Sequence, residues 1–306
     1  MLKRTGSSYL NYRFGFTAVD QNVVSNEAYS SNDGYDGAQV SCDAIVGGYF
    51  HDDFIRPNNA EGDAQFLTKW TFDGADGGQF SVLYASGSVH CIELGTGTDG
   101  AERGWAWPTN IQDMSQVDIQ LELYSNDISG FRRVGLMACG RGDRSAAFLY
   151  ALIFGDEVGQ TTGVGGAKLY KLENFDLDNL YDEADTLDNL EPVTVTLLDS
   201  FTPKTTVTND GIAVVYRLNV QNENGDHIIR VYESSDGGAV YDVVASATES
   251  GDAPAGKPGL VSIGVDDSTG NARYLGREAF ITRLDGTRSL FVKVLALARA
   301  NMEDTR

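Results

Sequence analysis

The chain has 306 residues, 42% of them hydrophobic and 22% charged, a composition that excludes wholesale disorder and supplies enough apolar side chains for one large core. Its formal net charge of -21 excludes nucleic acid as the main partner, because phosphate binding depends on lysines and arginines displacing counterions. Cys42, Cys91 and Cys139 are odd in number and widely spaced, which fits neither a disulfide framework nor a zinc knuckle. No apolar run approaches the length of a membrane span, and the opening MLKRTGSSYL has basic residues with no apolar stretch behind them. The expectation is a chain without a signal peptide, made in the cytoplasm and not inserted in a membrane.

Residues 1–48 are polar, rich in Gly, Asn, Ser and Tyr, and only weakly periodic, so they read as an arm or a small appended subdomain. From residue 79 onward, short runs of Val, Ile, Leu, Phe and Tyr alternate with clusters of Gly, Asp, Asn and Ser, the pattern of many strands joined by turns. In Val117 to Tyr124 the aliphatic residues Val117, Ile119, Leu121 and Leu123 point to one face and Asp118, Gln120, Glu122 and Tyr124 to the other. One face is expected in the core and the other in water. Further strands are expected at 79–84, 88–94, 133–139, 146–154, 167–172 and 193–198, then through AVVYRLNV, HIIRVYE, AVYDVVAS, GLVSIGV, EAFITRL and LFVKVLALA. Asn222-Glu223-Asn224-Gly225-Asp226 predicts a tight hairpin turn, because Asn-Gly supplies the positive φ angles that such a turn needs.

About a dozen strands with no capped helix between them exclude a parallel βαβ architecture and leave a sandwich or barrel, of which strand density favours the sandwich. One segment interrupts the pattern: residues 173–191 hold eight acids, no base and irregularly spaced apolar residues, and read as an exposed insertion with at most a helical turn. The organisation expected is an arm (1–48), a sandwich (49–285) carrying the acidic insertion, and a basic C-terminal strand or tail (286–306).

The run VVYRLNVQNENGDHIIRVYESSDGGAVYDVVASATES followed by GKPGLVSIGV resembles the closing strands of concanavalin A-like lectin and glucanase (LamG-type) jelly rolls. Upstream, YFHDDFIRPNNAEGDAQFLTKWTF is similar to the Asp-Asp-Phe-x-Arg entry with a downstream Trp that opens many such domains, including those of bacteriophage structural proteins. The resemblance covers residues 49 to 285 and implies an all-β, antiparallel jelly-roll β-sandwich of the concanavalin A type. The N-terminal arm and the extra C-terminal strand depart from that pattern. The resemblance identifies a fold better than an activity.

Glycanases of this superfamily carry Glu-x-Asp-x-(x)-Glu on one strand face, one carboxylate serving as nucleophile and another as acid. Here the corresponding residues are Asp118, Gln120 and Glu122; the central carboxylate is missing, so no catalytic residue is assigned. Trp105 and Trp107 in RGWAWP share a face of an extended segment and could stack on sugar rings or form a core pair. Jelly rolls of this type often hold a structural ion, and Asp73, Asp76, Asp266 and Asp267 offer hard oxygen ligands for calcium, although no loop has EF-hand spacing. His51, His90 and His227 have no ligand spacing and receive no role, and Arg141-Gly142-Asp143 reads as a turn.

Both ends are basic, with Lys3, Arg4 and Arg13 at one and Arg288, Lys293 and Arg299 at the other, while the middle is strongly acidic. Termini of this kind can bridge copies of the chain. The leading expectation is therefore a non-enzymatic structural or attachment protein of a bacteriophage virion, a capsid decoration or a tail component. Its partners would be other virion proteins, copies of itself as a homo-oligomer, and a host surface glycan. The alternatives are a free carbohydrate-binding lectin-like module and, last, a polysaccharide hydrolase or lyase.

Overall fold

The computed structural model describes residues 49–52, 54, 68–74, 80–85, 89–94, 103–125, 131–156, 166–179, 185–190, 194–203, 214–235, 238, 240–266 and 274–284. Fifteen strands among them form two antiparallel sheets. One sheet holds β1 (Tyr49–Asp52), β3 (Phe80–Ala85), β4 (Val89–Leu94), β6 (Val117–Ser125), β11 (Val214–Glu223), β12 (Asp226–Ser234), β13 (Asp242–Ser250) and β15 (Tyr274–Arg283). The other holds β2 (Trp70–Gly74), β5 (Arg103–Pro108), β7 (Phe131–Arg141), β8 (Ala147–Phe154), β9 (Ala167–Phe175), β10 (Val195–Phe201) and β14 (Lys257–Asp266). The order of the first is β13-β12-β11-β6-β15-β4-β3, with β1 pairing the far half of β15; the order of the second is β10-β9-β8-β7-β14-β5-β2. This is the antiparallel jelly-roll sandwich expected from the sequence. Among the described residues no helix is long and apolar enough to cross a membrane.

The core between the sheets follows from the period-two alternation of each strand. Val117, Ile119, Leu121 and Leu123 of β6 are all buried, as are Leu218, Val220, Ile229, Val231 and Ile281 of its sheet, and they meet Val134, Leu136, Leu152, Phe154 and Leu260 of the other. Two aromatic contacts show which faces look inward: Phe154 packs on Tyr216 at 4.8 Å and Tyr150 on His227 at 5.5 Å. His227 is buried, its Nδ1 2.8 Å from Gly251 O and its Nε2 2.6 Å from the Tyr150 hydroxyl. The expected hairpin turn is present, with Asn224 at φ 58° and Gly225 at φ 91° between β11 and β12.

The entry motif has a structural explanation. Asp52, buried at the end of β1, accepts from Trp70 Nε1 at 2.7 Å and from the Phe54 amide at 3.1 Å. The Trp70 ring then packs edge-on against Phe50 at 5.1 Å and over Phe54 at 6.0 Å. Because β1 lies in one sheet and β2 in the other, this one bond closes the sandwich at its first strand.

The acidic insertion departs from expectation. Residues 173–175 continue β9, Leu187–Leu190 form one helical turn, and Phe175, Leu177 and Leu187 are fully buried. Since Tyr150 and Phe154 face inward, Leu149, Ala151 and Ile153 face outward, and these share a cluster with Leu177, Leu187, Tyr170 and Leu172. The described part of the segment therefore covers the outer face of the seven-stranded sheet. The arm (1–48) and the C-terminal strand (286–306) lie outside the described residues.

Candidate functional site

On the outer face of the eight-stranded sheet, strand register brings one row of side chains into line. Reading partner to partner across six strands, the row is Val243 (β13), Tyr232 (β12), Arg217 (β11), Gln120 (β6), Phe280 (β15) and His51 (β1). Five inter-strand steps of about 4.8 Å make it about 24 Å long. The row reaches solvent: the side chain of His51 is 38% exposed, Val243 is 56% exposed, and the four residues between them are half-buried.

Its geometry is fixed from below and from one side. The Asp118 carboxylate is gripped by Arg217, whose Nε donates to Oδ1 at 3.0 Å and whose Nη2 donates to Oδ2, while Asn219 Nδ2 donates to Oδ2 at 2.9 Å. Asp118 holds the Arg217 guanidinium above its ordinary pKa, against the opposing effect of burial. Tyr232 and Tyr241 flank that guanidinium at 5.2 and 4.8 Å. Tyr241 also donates from its hydroxyl to Gln120 Oε1 at 2.9 Å, which orients the amide. At the other end the His51 and Phe280 rings stack at 4.4 Å and 10°, and His51 Nε2 lies 2.8 Å from Glu278 Oε1. Glu278 in turn sits opposite Glu122 in the β6–β15 register.

The β6 carboxylates are therefore not the merely solvated set that alternation suggested. Asp118 is buried and committed to Arg217, and Gln120 is the central hydrogen-bonding group of the row.

The tryptophans fall elsewhere. Trp105 and Trp107 do share a face, edge to face at 6.1 Å and 85°, but it is the covered outer face of the seven-stranded sheet. Trp105 is 4% exposed, and Trp107, half-buried, packs on the same cluster. Asp73, offered for calcium, instead faces Arg144 Nε at 3.1 Å and Trp105 Nε1 at 3.5 Å. Asp76, Asp267 and the side chain of Asp266 lie outside the described residues, as do Lys3, Arg4, Arg13, Arg288, Lys293 and Arg299. Among the described residues no three His, Cys, Asp or Glu side chains converge on a common point.

The cover over the seven-stranded sheet is held by a cluster of charged groups. Arg133 and Asp156, both fully buried, pair at 2.7 Å. Asp156 also accepts from the Tyr170 hydroxyl and, at 3.2 and 3.3 Å, from the Leu187 amide, while Lys168 stands 3.4 Å from Asp156 and 3.3 Å from Asp188. Arg133 Nη2 donates to the Asp185 carbonyl, and Arg103 Nη1 to the Asp178 carbonyl. Burial lowers the Arg133 pKa and, with Asp156 beside it, pushes the Tyr170 hydroxyl far up, so Tyr170 stays a neutral donor. These bonds run between the seven-stranded sheet and the segment over it, so they fasten the cover.

Neither a protein-family model nor a curated protein sequence matches this chain. Solved structures do. The exoplasmic/lumenal domain of VIP36, in its Ca2+/Man2-bound form, is 11% identical with a TM-score of 0.47, the match covering 80% of this chain and 91% of that one. A legume lectin-like domain from Entamoeba histolytica is 13% identical with a TM-score of 0.44, covering 75% and 95%. A GH43 glycoside hydrolase engineered for endo-xylanase and exo-arabinofuranosidase activity is 13% identical with a TM-score of 0.44, covering 77% of this chain and 40% of that one.

Proposed function

We propose that the chain is a carbohydrate-binding, lectin-like module whose binding surface is the outer face of the eight-stranded sheet. The observation that carries this reading is the row from Val243 to His51: rings and aliphatic groups alternate with one oriented amide, on a rigid sheet, with solvent access along its length. Sugars present C–H faces and hydroxyls together, and such a mixed surface meets both. Binding without cleavage follows from the β6 chemistry, since Asp118 is held as a salt bridge and Gln120 cannot transfer a proton. The test is calorimetry of the full chain against a panel of oligosaccharides, repeated with Phe280→Ala and Gln120→Ala. Binding that both variants weaken supports the proposal; binding that neither alters moves the site elsewhere. Release of reducing ends in the same mixtures would instead favour hydrolysis, with Glu122 and Glu278, opposite one another in register, as the carboxylates to replace.

A virion location and assembly through the termini is the second proposal, carried by the basic residues Lys3, Arg4, Arg13, Arg288, Lys293 and Arg299 beside an acidic body. If the full chain forms a defined oligomer by light scattering and serine at these six positions leaves a monomer, the assembly reading stands. A monomer in both cases ends it.

A further inference from the structure

We infer that the ligand of this face is an uncharged, extended glycan lying across the strands, and that acidic glycans are rejected. The inference rests on the proposed carbohydrate-binding role and adds the ligand class. Three observations carry it.

The first is that cationic charge on this face is spent within the protein. Among the described side chains on the outer face, the cations are Arg217 and Arg230, and each is in a two-toothed pair with a carboxylate. Arg217 donates twice to Asp118, and Arg230 donates to Glu223 Oε1 at 2.7 Å and Oε2 at 3.2 Å. Arg217 is also flanked by the Tyr232 and Tyr241 rings, so an incoming carboxylate or sulfate would compete with Asp118 for its charge. A receptor for acidic sugars needs guanidinium or ammonium groups turned outward.

The second is the overall sign of the chain, which carries -21, so a polyanion meets repulsion at a distance.

The third is shape. The row runs perpendicular to the strands for about 24 Å, the length of several linked pyranose rings, and Gln120 and Arg217 occupy its middle. A mono- or disaccharide would touch only one part of it: the His51–Phe280 stack, the Gln120 amide, or the Tyr232–Tyr241–Val243 end. A longer chain bridges all three.

The test uses the full chain and calorimetry with cellohexaose, xylohexaose, mannohexaose and laminarihexaose, the matching disaccharides, and hexagalacturonate, at low and moderate salt. The expected result is binding of at least one uncharged hexasaccharide, about tenfold or more tighter than its disaccharide, with about tenfold loss in Gln120→Ala. No heat is expected with hexagalacturonate at either salt concentration. If hexagalacturonate binds as tightly as the uncharged hexamers, or the disaccharide as tightly as its hexamer, the inference is overturned while the binding face stands. If sugars bind but Gln120→Ala and Phe280→Ala are both silent, or none binds, the proposed function fails and takes the inference with it.

Discussion

The two outer faces of this sandwich obey the same alternation of side chains and end in opposite states. The outer face of the seven-stranded sheet carries Trp105, Met137, Leu149, Ile153, Tyr170 and Leu172, and the chain covers it with its own Leu177, Leu187 and Leu190. The outer face of the eight-stranded sheet carries a polar and aromatic row that keeps solvent access from His51 to Val243. One face contributes stability, through apolar burial fastened by an ion cluster. The other uses its ion pair, Arg217 with Asp118, to hold side chains in place at a surface. A charged group in a strand is thus read by whether something lies over it, and that is a property of the fold and not of the strand.

The comparison is broken most severely at Arg133. Replacing it with alanine leaves Asp156 buried with its principal counter-charge gone, and loss of one partner of a buried pair costs about 3–5 kcal/mol. Urea unfolding should show that loss, with oligosaccharide binding by the folded fraction unchanged. If instead binding falls as steeply as stability, the two faces are coupled and the division fails. Leu187→Ala comes next, at about 2–3 kcal/mol: the side chain is fully buried, but the helical turn that carries it can settle inward and refill part of the space. Fluorescence of Trp105 and Trp107 should report wetter rings in this variant.

The sandwich itself was legible because each strand states its own alternation; β6 and the Asn224-Gly225 hairpin needed no other part of the chain. The cover was not legible. Its apolar residues are irregularly spaced because it packs as a cap without a repeat, and the arginines that fasten it, Arg103 and Arg133, are 75 and 52 residues away in sequence from the carbonyls they bind. The candidate site was hidden for a similar reason. His51, Gln120, Arg217, Tyr232 and Phe280 lie on five strands, and only the pairing register aligns them. A signal did exist: His51 and Arg217 sit inside the two motifs that carry the family resemblance, YFHDD and VVYRL. The Trp105–Trp107 pair was correctly placed on one face, but which outer face would be covered depended on residues 70 positions downstream.

Acid should loosen the covered face. A hydrogen bond from Asn189, with another from the Thr186 amide, holds Asp185 below the usual carboxylate range. For Asp188 burial pulls the pKa upward, but hydrogen bonds from Thr186 and Tyr170 and the charge of Lys168 outweigh it, and the net shift is downward. A carboxylate depressed in the folded state stabilises it fully above the unfolded pKa, near ~4, and loses that contribution as pH falls through the folded value. Hydrogen exchange should therefore rise in residues 185–190 below about pH 4, before the strands of the eight-stranded sheet exchange. Simultaneous release of both would show that the cover has no opening of its own.

The smallest effect on stability is expected where the effect on function is expected to be large. Phe280 is half-buried on the open face, stacked on His51 and covered by no segment among the described residues, so alanine there removes a ring that stays partly in water in the folded state. The cost to folding should stay within about 1 kcal/mol, well under that of a core phenylalanine. Binding of an uncharged hexasaccharide should nevertheless weaken about tenfold, because the ring joins the Gln120 amide to the His51 end of the row. A variant as unstable as Leu187→Ala would mean that this face, too, is packed against something, and the contrast between the two faces would be lost.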